Sequence, residues 1–142
     1  LCNDRRWPET WRVMGMQDVD LVMLGYNTPV YNSVASESPH LRMFHNHISM
    51  QAGAYQNGTW AVGTAKAGME GGVDMMAGSC IIAPTGEIVA LATTAEDEVI
   101  VAECDLDRGR YIRDTVFNFA QHRRIENYGL ITERNEAITP PE

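Results

Sequence analysis

The chain opens with nine residues that join a cysteine, two arginines and a helix start, Leu1-Cys2-Asn3-Asp4-Arg5-Arg6-Trp7-Pro8-Glu9. Proline at a first helical position, with glutamate near the positive end of the helix dipole, is typical of a helix that begins at Pro8. We interpret the stretch as a buried strand that ends at Cys2 and turns into a helix. This order of elements indicates an α/β fold.

Cys2 is a candidate nucleophile, because such a turn holds one side chain out at the rim of a sheet. The first free N–H groups of the helix lower the pKa of a thiol there and can face a developing oxyanion. An ordinary buried cysteine at a strand end is nevertheless the more frequent case. Both interpretations stay open on this residue alone.

The totals restrict the classes of function. At 142 residues the chain is at most one domain of ordinary size, and 11 basic against 19 acidic residues give a net charge of -8. Nucleic acid and anionic membranes are therefore poor partners. No apolar run reaches the roughly 20 residues that span a bilayer. Because the chain begins with Leu1 rather than Met, we expect it to be the C-terminal part of a longer protein.

The cysteines are odd in number and widely spaced, which fits neither a disulfide framework nor a metal knuckle: Cys2, Cys80 and Cys104. A reducing, cytoplasmic setting is the simplest account. His45 and His47 would point to different faces of a helix and would not converge on a metal. We therefore expect no metal and no cofactor.

A polar turn, Gly25-Tyr26-Asn27-Thr28-Pro29, follows the next apolar run of the chain. Between the two turns we predict a helix over about Pro8–Met16 and a strand over Leu21–Leu24. If the strands on either side of this helix are neighbours, both turns lie at the same edge of the sheet, where ligand sites of α/β proteins gather. Asn27 and Thr28 then line one pocket with the cysteine, although a simple loop fits this stretch equally well.

The longest predicted helix follows a loop at 30–38, with Ser38 as its N-cap, Pro39 as its first residue and Asn57-Gly58 at its end. Apolar side chains at spacings of three and four predict its buried stripe: Leu41, Phe44, Ile48, Ala52 and Tyr55. His45 lies beside that stripe, so it is a candidate for a polar group that supports a site through other residues. A histidine in such a place is more often purely structural.

The predicted elements of the second half are a strand over Thr59–Ala65, a hairpin of 79–83 with 87–91, a strand over Val99–Ala102 and a short helix over about Leu106–Val116. The glycine-rich loop at 68–72 lacks a phosphate-binding pattern. The turn Pro84-Thr85-Gly86 carries proline and glycine at favoured positions. Cys80, inside the first strand of that hairpin, is predicted to be inert core.

The chain mixes aromatic and charged residues from Phe117 onward, as in His122-Arg-Arg-Ile-Glu-Asn-Tyr128. We interpret this segment as an arm that docks on another surface, such as a second subunit. Residues 131–142 are predicted to form a flexible tail, with disorder at Pro140-Pro141.

Five motifs are spread along the chain: Cys2-Asn-Asp-Arg-Arg-Trp-Pro-Glu9, Gly25-Tyr-Asn-Thr-Pro29, Ser49-Met-Gln-Ala-Gly53, Tyr55-Gln-Asn-Gly58 and Ala83-Pro-Thr-Gly-Glu-Ile-Val-Ala90. Each alone is a weak signal, but their order resembles the nitrilase superfamily of carbon-nitrogen hydrolases, and within it the N-carbamoyl-D-amino acid hydrolases. The resemblance implies an α/β fold that is part of a four-layer αββα sandwich. Residues 1–130 would be the C-terminal portion of a hydrolase domain, with an oligomerisation arm from about residue 117.

The resemblance also implies a Glu-Lys-Cys triad in which Cys2 attacks the carbamoyl carbon and the backbone N–H of Asn3 faces the oxyanion. Ammonia leaves, and water then releases carbon dioxide and a D-amino acid. The glutamate base and the lysine belong to the N-terminal half of such enzymes, so we expect this chain alone to be inactive. The implied partners are a small N-carbamoyl amino acid and further copies of the chain, in a homo-oligomer of two or four subunits.

The paired arginines suit a substrate with a free carboxylate next to the scissile group, because a guanidinium can hold a carboxylate with two hydrogen bonds. We predict Arg6 as the direct contact and Arg5 as the alternative. Adjacent side chains rarely point the same way, so one of the two is expected to be structural. Asn3, Asn27 and Thr28 are expected to assist, as in the enzymes that the chain resembles.

The sequence departs from the family pattern at two places. Asn46 stands where the pattern has a second histidine beside His45, and the loop at 30–39 matches little. These departures concern the preferred side chain of the substrate. Two other functions fit the chain: an aliphatic amidase or nitrilase, whose substrates need no carboxylate clamp, and a non-catalytic assembly module that supplies only core and interface.

Overall fold

The computed structural model describes residues 2–31 and 37–138. Leu1, and with it the strand predicted to end at Cys2, lies outside the described residues. So do positions 32–36 of the predicted loop and positions 139–142, which include the predicted disorder at Pro140-Pro141.

The strands are, in chain order, β1 (Leu21–Tyr26), β2 (Trp60–Ala65), β3 (Met69–Glu70), β4 (Val73–Asp74), β5 (Cys80–Ile82) and β6 (Ile88–Leu91). A four-stranded sheet has the order β1-β2-β5-β6, and β3 with β4 forms a small separate hairpin. β1 and β2 run parallel, whereas β5 is antiparallel to both of its neighbours. The four-stranded sheet is therefore mixed, and the predicted pairing of β1 with a strand that ends at Cys2 stays a prediction.

The helices are α1 (Pro8–Met16), α2 (Pro39–Asn57), α3 (Arg110–Asp114), α4 (Phe119–His122) and α5 (Gly129–Glu133). α2 packs on β2 and β5 and lies beside α1. Helices and sheet together confirm the predicted α/β class.

Both long helices have the bounds that the sequence predicts. Pro8 stands in the first turn of α1. At the start of α2 the Ser38 hydroxyl accepts a hydrogen bond from the backbone N–H of Leu41 at 3.3 Å, and Gly58 ends the helix with a φ of 59°. These signals act between residues a few positions apart, which is why they can be recognised in the sequence alone.

The predicted buried stripe of α2 is wrong, because all of its side chains are exposed: Leu41, Phe44, Ile48, Ala52 and Tyr55. The buried residues of this helix are instead Arg42, Asn46, Met50, Gly53, Ala54 and Asn57. Polar side chains can occupy this face because they form hydrogen bonds there. Arg42 donates to the carbonyl of Pro29 at 3.0 Å, and Asn57 donates to the carbonyl of Gly53 at 2.8 Å.

The later strands and turns agree only in part with prediction. β1 continues two residues beyond the predicted end, and the hairpin of β5 and β6 is confirmed. Residues 69–72 of the glycine-rich loop at 68–72 belong to the β3–β4 hairpin. Segment 99–104 has the alternating burial of a strand, yet within the described part of the chain it pairs with no other strand. The predicted helix over Leu106–Val116 is a 3₁₀ helix (Leu106–Gly109) followed by α3.

Apolar side chains cover the four-stranded sheet on both faces. On the helix face Cys80 is fully buried, as predicted, and this burial raises the pKa of its thiol to about 11. On the opposite face Trp60 packs with Ile81, Ala83 and the inward side chains of segment 99–104. The indole N–H of Trp60 donates to the carbonyl of Asp105 at 2.7 Å, which holds the end of that segment against the sheet.

The predicted arm packs on the helices of its own chain. The ring of Phe117 meets Tyr55 edge-on with centroids 5.0 Å apart, and the guanidinium of Arg12 lies 4.3 Å from the ring centroid of Phe119. The predicted flexible tail would begin inside α5, at residue 131. Contact of this arm with a second subunit stays a prediction.

Replacing Gly53 with alanine should destabilise the fold, because the added Cβ would lie 2.2 Å from Cδ2 of Trp11. The indole N–H of Trp11 donates to the carbonyl of Arg5 at 2.8 Å, so the ring has little freedom to move. Overpacking costs about 1–3 kcal/mol. That exceeds the gain of up to about 1 kcal/mol from removing a helical glycine. Urea unfolding should show a lower midpoint for Gly53→Ala.

Gly25→Ala is the matched control, since a Cβ added at Gly25 meets no atom within 4 Å. Its midpoint should stay close to that of the unchanged chain. An unchanged or higher midpoint for Gly53→Ala would contradict the close packing of α1 on α2.

Candidate active site

Two segments of the chain meet at Cys2. The first runs from Cys2 through a 3₁₀ helix (Asp4–Arg6) into α1, and the second leaves β1 at Tyr26 and continues through Asn27 and Thr28. The Sγ of Cys2 lies 3.6 Å from Oγ1 of Thr28 and 4.0 Å from the carbonyl oxygen of Asn27. The structure therefore brings Cys2 together with the turn that was predicted to share its pocket.

Arg5 lies beneath this junction and is only 3% exposed. Its Nε donates to Oδ1 of Asn46 at 2.7 Å, and its Nη2 donates to Oγ1 of Thr28 at 3.1 Å. Its Nη1 donates to the carbonyl of Cys2 and lies 3.5 Å from the Sγ. The flat face of the guanidinium stacks on Tyr26, 4.0 Å from the ring centroid. These contacts offset the free energy cost of burying a charge, and they direct the N–H groups of Arg5 to acceptors inside the protein.

The surroundings of Cys2 lower the pKa of its thiol below the ordinary value. Burial favours the neutral thiol and acts in the opposite direction, but the hydroxyl of Thr28 and the guanidinium of Arg5 stabilise the thiolate and outweigh it. The carbonyl of Asn27 can only accept a hydrogen bond and is 4.0 Å away, so it does not stabilise an anion. A larger share of Cys2 is therefore the nucleophilic thiolate at neutral pH.

The other predicted site residues of the two segments are exposed: Asn3, Arg6 and Asn27. The carbonyl of Asn3 accepts from the backbone N–H of Arg6 at 3.0 Å, which closes the turn after Cys2. The side-chain amide of Asn27 donates to Oε2 of Glu70 at 2.5 Å. Glu70 belongs to the small β3–β4 hairpin, so this hairpin contacts the turn after β1.

Five side chains form what we call the Cys2 cluster: Cys2, Arg5, Tyr26, Thr28 and Asn46. The structure does not bring His45 into this cluster. Its imidazole is half exposed and pairs with Glu37, whereas the next residue, Asn46, is fully buried against Arg5. Asn46 also donates from Nδ2 to the hydroxyl of Tyr26 at 3.1 Å. The sequence could have indicated Asn46, because it is four residues from both Arg42 and Met50 and thus shares their helix face.

His45 and His47 of α2 point apart, as predicted. Nε2 of His47 lies 3.1 Å from the carbonyl oxygen of Gly78, while Nδ1 of His45 contacts Glu37. No group of three potential metal ligands lies together in the part of the chain that the structure describes. Within the same residues, every helix is too short or too polar to cross a membrane.

Comparison with protein families places the Cys2 cluster in a known context. Residues 1–114, which contain every residue of the cluster, match the family model of the carbon-nitrogen hydrolases. The chain belongs to the carbon-nitrogen hydrolase family. The predicted membership of the nitrilase superfamily is thereby confirmed, while the narrower likeness to N-carbamoyl-D-amino acid hydrolases stays a prediction.

Solved structures show the same fold at low sequence identity. A carbon-nitrogen hydrolase from Helicobacter pylori is 23% identical, with a TM-score of 0.79 over 94% of this chain and 47% of that chain. The NitN amidase from Nesterenkonia sp. AN1 is 21% identical, with a TM-score of 0.65 over 90% of this chain and 42% of that one. This carbon-nitrogen hydrolase chain thus has the predicted nitrilase fold and spans less than half the length of both.

A variant of the Nesterenkonia amidase shows covalent addition of the acetamide moiety of fluoroacetamide at its active site cysteine. It is 20% identical to this chain, with a TM-score of 0.61 over 90% of this chain and 41% of that chain. At this identity the likeness describes the fold of the two proteins.

Replacing Thr28 with valine should make Cys2 less reactive at neutral pH. Valine keeps the shape but removes the hydroxyl that lies 3.6 Å from the Sγ and receives Nη2 of Arg5. This hydroxyl lowers the pKa of Cys2, so its loss should raise that pKa, and the thiolate should form only at higher pH. Alkylation of Cys2 by iodoacetamide, followed by peptide mass spectrometry, should slow several-fold at pH 7 and recover at high pH.

Thr59→Val is the matched control, because the hydroxyl of Thr59 is also buried but donates to the carbonyl of Trp60 instead. It should leave the pH profile of Cys2 unchanged. If Thr28→Val also leaves that profile unchanged, Thr28 does not act on the thiol.

Proposed function

We propose that this chain supplies the nucleophile and the carboxylate-binding arginine of a cysteine-dependent amidohydrolase that acts on N-carbamoyl-D-amino acids. The observation that carries the proposal is the setting of Cys2, whose thiol lies between Thr28 and the buried guanidinium of Arg5. Arg6, the residue after Arg5, is exposed. Family membership supports cleavage of a carbon-nitrogen bond, and the five sequence motifs support the substrate class.

The proposed reaction begins with attack of the Cys2 thiolate on the carbamoyl carbon. The carbonyl oxygen becomes an oxyanion, for which the backbone N–H of Asn3 is the proposed donor from this chain. The bond from this carbon to the terminal nitrogen then breaks, and that nitrogen leaves as ammonia after it takes up a proton. Water cleaves the remaining thiocarbamate and restores the thiol, and the carbamic acid product loses carbon dioxide to give the D-amino acid.

The general base and the lysine that the sequence resemblance implies are not supplied by the cluster around Cys2. We propose that they come from the rest of a hydrolase domain of which this chain forms about half. The length comparison supports this proposal, since the chain spans 47% of the Helicobacter pylori enzyme and 42% of the NitN amidase. Activity is accordingly a property to test in an enzyme that contains the whole domain.

The two arginines have different proposed tasks. The donors of Arg5 point to Asn46, Thr28 and Cys2 inside the protein, so Arg5 is suited to stabilise the thiolate. A carboxylate is held best by a guanidinium that can offer two N–H groups, and the exposed Arg6 meets that requirement. Asn27 is also exposed, its carbonyl lies 4.0 Å from the Sγ of Cys2, and it is the proposed second contact to the substrate.

An aliphatic amidase is the second candidate function. The fold similarity to the Nesterenkonia amidase favours it. Simple amides carry no carboxylate, so an amidase would have no need of Arg6 in substrate binding. The two candidates therefore differ in what the removal of this one charge does.

In an enzyme that contains this chain and the rest of the domain, Arg6→Ala should lower kcat/KM for an N-carbamoyl-D-amino acid by about 10- to 100-fold. A charge-assisted hydrogen bond contributes about 1.5–3 kcal/mol. Turnover of a simple aliphatic amide should change little. Ammonia release from both substrates provides the measurement.

Arg110→Ala is the matched control, because the Arg110 side chain is 73% exposed and pairs with Asp107 at 3.2 Å, apart from the Cys2 cluster. It should leave kcat/KM for both substrates unchanged. If Arg6→Ala lowers kcat/KM equally for both substrates, Arg6 does not bind the carboxylate, and the amidase is the better candidate.

The same chain is proposed to form a homo-oligomer through the arm that begins at residue 117. The arm and α1 border a groove of about 640 Å³, and apolar side chains around it stay exposed, among them Val13 and Ile131. The outer face of α2 adds Phe44 and Ile48, which are 51% and 45% exposed. An exposed apolar surface of this kind, paired with the same surface of a second copy, would form a symmetric dimer, and two such dimers would form a tetramer.

Replacing Ile131 with aspartate should weaken this association, because a carboxylate would have to lose its water in an apolar interface. The free energy cost is expected to be about 2 kcal/mol or more. Size-exclusion chromatography with light scattering should show a smaller mean mass at low micromolar concentration. Val73→Asp, on the β3–β4 hairpin, is the control and should not change the mass. An unchanged mass for Ile131→Asp would contradict the role of the arm.

A further inference from the structure

Asn46 is a fully buried asparagine at the centre of the polar cluster. Its Oδ1 accepts from Nε of Arg5 at 2.7 Å, and its Nδ2 donates to the hydroxyl of Tyr26 at 3.1 Å. The ring of Tyr26 in turn lies beneath the guanidinium of Arg5 at 4.0 Å. One amide thus contacts both the guanidinium and the tyrosine on whose ring it lies.

The geometry of a guanidinium makes this double contact consequential. Its five N–H groups lie in one plane and diverge in fixed directions. Asn46 holds the Nε edge of Arg5, and the ring of Tyr26 restricts its face. The opposite edge is then directed at Cys2, whose Sγ lies 3.5 Å from Nη1. Asn46 forms its hydrogen bonds with Arg5 and Tyr26 rather than with the sulfur, and of these two partners Arg5 contacts the Sγ.

Packing alone does not account for an asparagine at this place. Met50 and Ala54 occupy the same buried face of α2 and fill it with apolar atoms. A buried amide costs free energy unless it is hydrogen-bonded, and asparagine is a weaker helix former than methionine or alanine. The two polar contacts are what an apolar side chain of equal size could not provide.

We infer that Asn46 is a positioning residue for Cys2, which aims the guanidinium of Arg5 at the sulfur and so favours the thiolate. The inference rests on the proposed function, in which that thiolate is the nucleophile. It adds to that function a group on α2, an element that carries no other part of the proposed chemistry.

The other charged and titratable groups around Arg5 and Asn46 do not orient the guanidinium of Arg5 toward Cys2. Asp4 and Arg6 lie on the same segment as Arg5 and are exposed. Burial raises the pKa of Tyr26 to about 12 and that of Cys80 to about 11, so both stay neutral near pH 7. The ionisable neighbours of Asn46 on α2 contact other groups: Arg42 contacts Pro29 and Glu37, His45 contacts Glu37, and His47 contacts Gly78.

The test is the pH profile of Cys2 alkylation by iodoacetamide in the full chain, read for the Cys2 peptide by mass spectrometry. Asn46→Ala and the similarly sized Asn46→Leu should both slow alkylation at pH 7 by about three- to ten-fold, as expected for loss of the hydrogen bond to Arg5. At a pH where the thiol is fully ionised, their rates should converge with that of the unchanged chain. Asn46→Leu keeps the volume of the side chain and guards against loss of folding in the alanine variant.

Asn57→Ala is the matched control, because Asn57 is also buried on α2 but donates to the carbonyl of Gly53. It should lower the unfolding midpoint without moving the profile of Cys2. A merely structural role for Asn46 would give the same pattern. The second discriminating measurement is Asn46→Ala in an Arg5→Ala background, where it should have no further effect on Cys2.

The outcomes separate this inference from the proposed function. An unshifted profile in both folded Asn46 variants, or a shift that persists in the Arg5→Ala background, overturns the positioning role. If Cys2 of the unchanged chain titrates like an ordinary thiol, with a pKa of about 8.5, the proposed activation of the nucleophile fails instead. A shift that needs Arg5 and spares the Asn57→Ala control supports the positioning role.

Discussion

The burial of the Arg5 guanidinium is the constraint on which the arrangement around Cys2 depends. A positive charge that is 3% exposed is tolerated only if its donors find acceptors, and here those acceptors come from three parts of the chain. Cys2 belongs to the opening turn, Thr28 to the loop after β1, and Asn46 to α2. Satisfying one cation therefore locks the turn, the end of a strand and a helix face in one arrangement.

This constraint explains why α2 has the orientation that it has. A helix placed by its apolar stripe alone would bury Phe44 and Ile48 and leave Asn46 in water. The helix is instead rotated about its axis so that Phe44 is half exposed and Asn46 is fully buried beside Arg5. The helix still buries apolar area through Met50 and Ala54, so the core is retained while the acceptor is supplied. Its outer apolar face stays exposed.

Local signals made several parts of the fold predictable. The bounds of α1 and α2 follow from Pro8, from the Ser38 cap and from Gly58, each of which acts within one helical turn. Cys2 and the turn at Asn27 and Thr28 were expected to lie together because both follow apolar residues of an α/β pattern, and their side chains do meet. Segment 99–104 could not be predicted correctly, since alternation shows which side chains face inward but not whether a neighbouring strand exists to accept hydrogen bonds.

The sequence by itself determined the α/β class, the family and the candidate nucleophile, because these depend on short motifs and on the order in which they occur. Only the tertiary structure decided how the two arginines differ and that Asn46, rather than His45, contacts Arg5. Adjacent residues are equivalent in a sequence until packing turns one inward and leaves the other in water. That choice depends on acceptors 23 and 41 positions away, which come together only when the chain folds.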